Sequence, residues 1–133
     1  MKIYLDFDGT VCEHAYPKIG RENFGCFDVI VDLQKAGHEI ILNTYRSDCN
    51  DGTLNKALEF INYHPKYEIE PILHWTLNKI NPPLWNVEKA KLEGVLFIDD
   101  IAAGIPLKPN LMIRGNMVDW DAVRSQLLSV GIL

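Results

Sequence analysis

Lys2-Ile3-Tyr4-Leu5-Asp6-Phe7-Asp8-Gly9-Thr10 (KIYLDFDGT, residues 2–10) joins an apolar run to two carboxylates and a glycine. Residues 2–6 read as a short buried parallel strand that stops at a functional loop. In an extended chain, residues i and i+2 share a face. Asp6 and Asp8 therefore point into one crevice, while Phe7 turns away. Gly9 lets the backbone bend there without a side chain in the way. Two carboxylates this close in an apolar setting repel each other unless a cation or a proton lies between them.

Outward from this stretch, residues 11–25 mix Pro17, Gly20 and Gly25 with charges and read as an irregular flap with one hairpin-like turn. Phe27, Ile30, Val31 and Leu33 then recur near helical spacing, which predicts a helix over Phe27–Ala36 closed by Gly37. His38–Asn43 (HEIILN) is the next buried strand. Asp51 or Thr53 is expected to cap a helix carrying Leu54, Ala57, Leu58 and Ile61, stopped by Pro65. A short strand is expected over Glu68–Leu73 and a short helix between Pro82 and Gly94. Val95–Asp99 (VLFID) reads as a third buried strand, Leu111–Arg114 as a further one, and Asp119 as the cap of a final helix with Val123, Leu127 and Leu128. Strands alternating with helices imply an α/β fold with a Rossmann-like parallel sheet flanked by helices, in which ligands bind at the carboxyl ends of the strands.

The 133 residues, 47% of them hydrophobic, suit a single domain over residues 1–133 with its own core. Thirteen basic against 18 acidic side chains give a net charge of -5, which repels a phosphate backbone and makes nucleic acid an unlikely partner. A bound divalent cation can still reverse the sign of an acidic site for a small anionic substrate. The early apolar run is interrupted by Asp6, so neither a secretory core nor a cleavage site is expected, and no stretch approaches the roughly 18 apolar residues of a membrane span. Cys12, Cys26 and Cys49, an odd set without a CxxC, argue against a disulfide framework or zinc site and fit a reduced, cytoplasmic setting.

Three signals raise the Asp6/Asp8 pair above an ordinary strand-end loop. Asn43-Thr44-Tyr45-Arg46 ends the second strand with a hydroxyl and a guanidinium suited to a phosphate. Ile98-Asp99-Asp100 ends the third with another carboxylate pair, and Lys89 and Lys91 lie between. Each has a bland reading alone: a generic strand-end Thr, solvated lysines, a surface acidic pair. Their shared order at the ends of parallel strands does not.

Taken together, DFDGT, LNT and IDD resemble the first, second and fourth motifs of the haloacid dehalogenase-like (HAD) superfamily, over residues 1 to about 105. EHAYPKIG and LFIDD further resemble its small, capless phosphatases. The resemblance implies a HAD-like fold without a cap domain and a magnesium (Mg2+)-dependent phosphohydrolase, in which Asp6 attacks phosphorus. Asp8 would protonate the leaving group and then deprotonate water. Thr44, with Gly9, Tyr45 and Arg46 nearby, would bind the phosphorylated small-molecule substrate. Asp6, Asp99 and the Asp8 backbone carbonyl would hold the metal, with Asp100 as a supporting or water-mediated ligand.

The chemistry agrees with this set. A carboxylate nucleophile splits phosphoryl transfer into two steps, and magnesium favours oxygen ligands. The transferring group needs its charge spread over a cation, a lysine and fixed donors. The third-motif lysine lacks the superfamily's usual Lys-Pro pair. Lys91 is the first choice, Lys89 the second and Lys79 an outsider, with Arg46 as a substitute charge.

The gap from Thr10 to about Phe27 holds only a flap, and the gap from Arg46 to Lys91 is too short for a cap domain. An open crevice is therefore expected, favouring a macromolecular substrate or a covering subunit, and a homo-oligomer is a reasonable expectation. His14, Lys18 and Arg21 of the flap are candidate leaving-group contacts or ordinary loop polars. Trp75, Trp85 and Trp120 read as core or subunit contacts, and the cysteines as structural. The order of motifs disfavours a receiver domain. A non-catalytic phosphate- or metal-binding domain, or a phosphotransferase with the same residues, is the alternative.

Overall fold

The first strand forms where the apolar run lies, and its neighbours follow from equally short hydrophobic stretches. The computed structural model describes residues 1–47, 52–74, 78–111 and 114–133. Its elements are β1 (Lys2–Leu5), α1 (Cys26–Lys35), β2 (Glu39–Leu42), α2 (Thr53–Asn62), β3 (Leu73–His74), α3 (Val87–Glu93), β4 (Val95–Ile98), β5 (Leu107–Pro109), β6 (Asn116–Val118) and α4 (Trp120–Ser129). Three four-residue strands and the two-residue β3 make a parallel sheet in the order β3-β2-β1-β4. β5 and β6 form a separate antiparallel hairpin.

Strand register explains the core. Ile3 lies beside Ile40 and Leu96, and Leu5 beside Leu42 and Ile98, so two rows of branched side chains line one face. All six are buried. Each such side chain contributes about 1.5–3 kcal/mol on burial. The other face carries Tyr4 beside Ile41 and Phe97, with the Tyr4 and Phe97 rings stacked at 4.8 Å and half-buried. Trp120 and Phe27, from the starts of α4 and α1, are buried, as are Cys12 and Cys26. Burial pushes the Cys12 thiol up to about 12, which makes it a packing residue. Trp85 is partly buried and donates to Gln126 at 2.6 Å; Trp75 and Cys49 lie outside the described residues.

Helix ends follow local chemistry. Asn86 and Asp119 accept from the backbone of Lys89 and Ala122, capping α3 and α4. Asp51 lies outside the described residues. Thr53 opens α2 after Gly52 at φ 67° and donates its hydroxyl to Ser47 O at 3.2 Å.

Two expected strands differ. Over Glu68–Leu73, strand pairing is confined to Leu73, in the two-residue β3, because side-chain amides occupy the backbone before it. Gln34 bonds both Glu70 N and O at 2.9 Å, Asn62 bonds Ile72 N and O at 2.8 and 3.1 Å, and Pro71 has no N–H. Where a strand was expected over Leu111–Arg114, the flanks pair instead as β5 and β6. Asn110 N donates to Gly115 O at 3.0 Å to begin the turn, and residues 112–113 lie outside the described set. This hairpin positions the first loop: Val118 N donates to Gly9 O at 2.9 Å. The flap makes its hairpin-like turn through Glu13 N to Arg21 O and Asn23 N to Val11 O, both 2.8 Å. Among the described residues, no helix is long and apolar enough to cross a membrane.

Candidate active site

β1, β2 and β4 run side by side and end together, so the residues after each strand converge on a cleft of about 410 Å3. Asp6 follows β1, Thr44 follows β2 and Asp99 follows β4; their exposures are 4%, 4% and 1%. Phe7 turns into the core, as alternation requires. Thr10 Oγ1 donates to Asp6 Oδ2 at 2.8 Å and accepts from Asp100 N at 3.2 Å, tying the loops after β1 and β4 together through one buried hydroxyl.

The lysine that enters this crevice is Lys79. Its Nζ lies 2.9 Å from Asp6 Oδ1 and 2.8 Å from Asp99 Oδ2, with the side chain only 3% exposed. Burial opposes its charge, but the two carboxylates overcome that and raise its pKa. Asn43 places it: Nδ2 donates to Ile80 O and Oδ1 accepts from Ile80 N, both at 2.8 Å, so a side chain at the end of β2 clamps the backbone next to Lys79.

Lys91 and Lys89 do not reach the crevice. Lys91 Nζ bonds Val130 O at the end of α4, and Lys89 makes a 3.9 Å pair with Glu93 on the surface. The reason is topological. Both sit on α3, which ends just before β4 begins, whereas the crevice lies beyond the far end of β4, about 13 Å along a four-residue strand.

Arg46 also differs from its expected place as a free phosphate ligand. Its side chain is 1% exposed, and Nε and Nη2 form a fork on Asp8 at 2.8 and 2.7 Å. Nη2 also donates to Lys18 O at 2.8 Å and Nη1 to Pro17 O at 3.2 Å, so Asp8 is oriented from behind and tied to the flap. Arg46 N donates to Thr44 Oγ1 at 3.1 Å, shaping the loop after β2. Tyr45 lines the cleft, is 72% exposed and has Lys79 Nζ 4.7 Å from its ring centre.

Gly9 has φ +79°, and a Cβ there would meet His14 Nε2 at 2.2 Å and Asp100 Oδ2 at 2.6 Å. The missing side chain makes room for the His14–Asp100 contact, 3.0 Å long. Of the flap candidates, His14 alone enters the site. Lys18 contributes its carbonyl to Arg46, and Arg21 pairs with Glu13 at 3.1 Å. Thr10, Asn43 and Tyr16 were not assigned site roles from the sequence. Thr10 stood in the quoted DFDGT motif, Asn43 immediately before Thr44, and Tyr16 within the quoted EHAYPKIG.

Asp6, Asp99 and Asp100 present carboxylate oxygens within 4.8 Å of one another, among the described residues. Three carboxylates face one ammonium. Burial and then repulsion from Asp99 hold Asp6 well above the usual carboxylate range, and burial raises Asp100 to about 6. Lys79 pairs with Asp99 Oδ2 by charge, but that buried oxygen accepts no well-directed hydrogen bond. An all-oxygen, anionic, under-bonded donor set of this kind fits magnesium. The Asp8 carboxylate, held by Arg46, lies outside that set.

No protein-family model and no curated protein matches the chain. Among solved structures, it is similar to a conserved protein from Bacteroides thetaiotaomicron, at 24% identity, a TM-score of 0.63, and coverage of 97% of this chain and 90% of that one. The likeness extends the α/β fold with its parallel sheet to a second protein over nearly the whole length of both.

Proposed function

We propose that the chain is a magnesium-dependent phosphohydrolase, a capless member of the HAD-like superfamily, that cleaves a phosphomonoester through an aspartyl-phosphate on Asp6. The observation that carries this reading is Asp6 itself: a buried strand-end carboxylate flanked by a buried lysine on one oxygen, a threonine hydroxyl on the other, and a second acidic pair alongside. A structural ion pair needs no second and third carboxylate around it.

Thr44 and Lys79 would hold the phosphoryl oxygens. Asp6 would attack phosphorus, and the bond to the leaving oxygen would break as Asp8 delivers a proton to it. Asp8 would then take a proton from water as that water attacks phosphorus. The bond to Asp6 would break, returning its carboxylate and releasing inorganic phosphate. Arg46 fixes the orientation of Asp8 for both transfers. Asp6, Asp99 and Asp100 would hold magnesium, which would supply charge neutralisation for an anionic substrate beside carboxylates.

The test is phosphate release from a panel of phosphomonoesters by wild-type and Asp6→Asn protein, with magnesium or chelator. Metal-dependent release lost in folded Asp6→Asn supports the proposal. Equal release by the variant refutes the nucleophile, and transfer to an added alcohol without phosphate release would make the chain a phosphotransferase.

A further inference from the structure

Two tyrosines stand in the wall of the same cleft, Tyr16 from the flap and Tyr45 from the loop after β2. They are 59% and 72% exposed. Each ring is backed by one of the site's buried cations: Arg46 Cζ lies 5.1 Å from the centre of Tyr16, and Lys79 Nζ 4.7 Å from that of Tyr45. Tyr45 is further tied by its hydroxyl to Asn81 Oδ1 at 3.4 Å. A cation on one face attracts the ring quadrupole and restrains the ring, while the high exposure leaves other ring surface open to solvent. A ring restrained before a ligand arrives loses little further freedom on stacking.

Ile101, 56% exposed, lies in the same cleft. The exposed wall therefore offers aromatic and alkyl surface close to the proposed phosphoryl site. A polyhydroxylated leaving group requires several fixed hydrogen-bond partners. A flat aromatic one requires ring faces.

We infer that this crevice selects phosphomonoesters whose leaving group carries a flat aromatic ring, held against Tyr16 and Tyr45. The inference rests on the reading that the crevice takes a phosphoryl group, and it adds the substrate class. Stacking on two restrained rings corresponds to about a tenfold gain in affinity.

The test uses phosphonates, whose carbon–phosphorus bond this chemistry does not cleave, so binding is read independently of turnover. Calorimetric titration of the magnesium-loaded wild type is expected to give about tenfold tighter binding of phenylphosphonate than of methylphosphonate. The preference should fall severalfold in Tyr45→Ala and Tyr16→Ala and persist in Tyr45→Phe and Tyr16→Phe, with thermal melts confirming that each variant is folded. A nucleoside phosphonate distinguishes the two sources of such a ring. Tighter binding than phenylphosphonate places it one sugar away from phosphorus; weaker binding places it directly on the ester oxygen. Equal affinity for phenyl- and methylphosphonate, no binding of either, or a preference untouched by both alanine variants overturns the inference. An aromatic preference that follows the tyrosines, without phosphate release from any ester, overturns the phosphohydrolase reading and leaves the inference standing.

Discussion

Replacing Lys79 by methionine removes the one buried ammonium between Asp6 and Asp99 and leaves their carboxylates facing each other. Breaking a buried ion pair from one side costs about 3–5 kcal/mol. The loss has a ceiling, because one carboxylate can take up a proton instead. From the ordinary value of 3.8, protonation at about pH 7.5 costs about 5 kcal/mol, and at about pH 5.5 about 2 kcal/mol, at 1.36 kcal/mol per pH unit. Urea denaturation in chelator should therefore show Lys79→Met losing about 3–5 kcal/mol near neutral pH and no more than about 2 kcal/mol near pH 5.5. Added magnesium should return part of the neutral-pH loss by placing charge beside the same carboxylates. A loss below about 1 kcal/mol at neutral pH, typical of an exposed pair, would refute the reasoning. So would a loss that does not shrink as pH falls.

Asn43→Leu removes both hydrogen bonds to Ile80 and leaves that backbone unsatisfied, so a stability loss of about 1–3 kcal/mol is expected, with weaker phosphate release because Lys79 is no longer held. Denaturation and assay on one preparation check both. Gly9→Ala should be destabilising beyond the roughly 1 kcal/mol of a left-handed alanine, because its Cβ also collides with His14 and Asp100; a melting temperature equal to wild type would contradict this. In chelator, the folded protein binds a proton on Asp100 up to about pH 6, whereas the unfolded chain releases it near the ordinary carboxylate value. Stability should therefore fall as pH rises between those limits, with Asp6 acting in the same direction. Magnesium needs the same groups deprotonated and should reverse or flatten that trend; identical melting profiles with and without the metal would count against the site.

Much of this arrangement was legible because strand ends are legible. Asp6, Thr44 and Asp99 each follow a short apolar run, and parallel pairing brings such positions together whatever the connecting segments do. Lys79 was placed behind Lys91 and Lys89, which lie closer to Asp99 in the sequence. Its position depends on a long-range clamp, Asn43 on Ile80, that no local pattern announces. Lys91 was attractive because it precedes the fourth motif in sequence. Sequence proximity to β4 means proximity to its amino end, however, and the crevice is at the other. Arg46 was read as a substrate contact from its place after Thr44, but its burial and fork on Asp8 depend on the flap folding back to supply the Pro17 and Lys18 carbonyls. The strand near residues 68–73 was misjudged for a related reason: side-chain amides from α1 and α2 took the backbone groups that a ladder would have used.

The most direct test of the central claim is to look for the phosphoryl group on Asp6. Wild-type and Asp8→Asn protein would be mixed with a hydrolysed phosphomonoester and magnesium, quenched in acid within one turnover, and digested for peptide mass spectrometry. The account predicts the added mass of one phosphoryl group on the peptide containing Asp6 in the wild type, formed and lost more slowly in Asp8→Asn, and absent from Asp6→Asn. A phosphoryl group on any other residue, or undiminished phosphate release by folded Asp6→Asn, would contradict it.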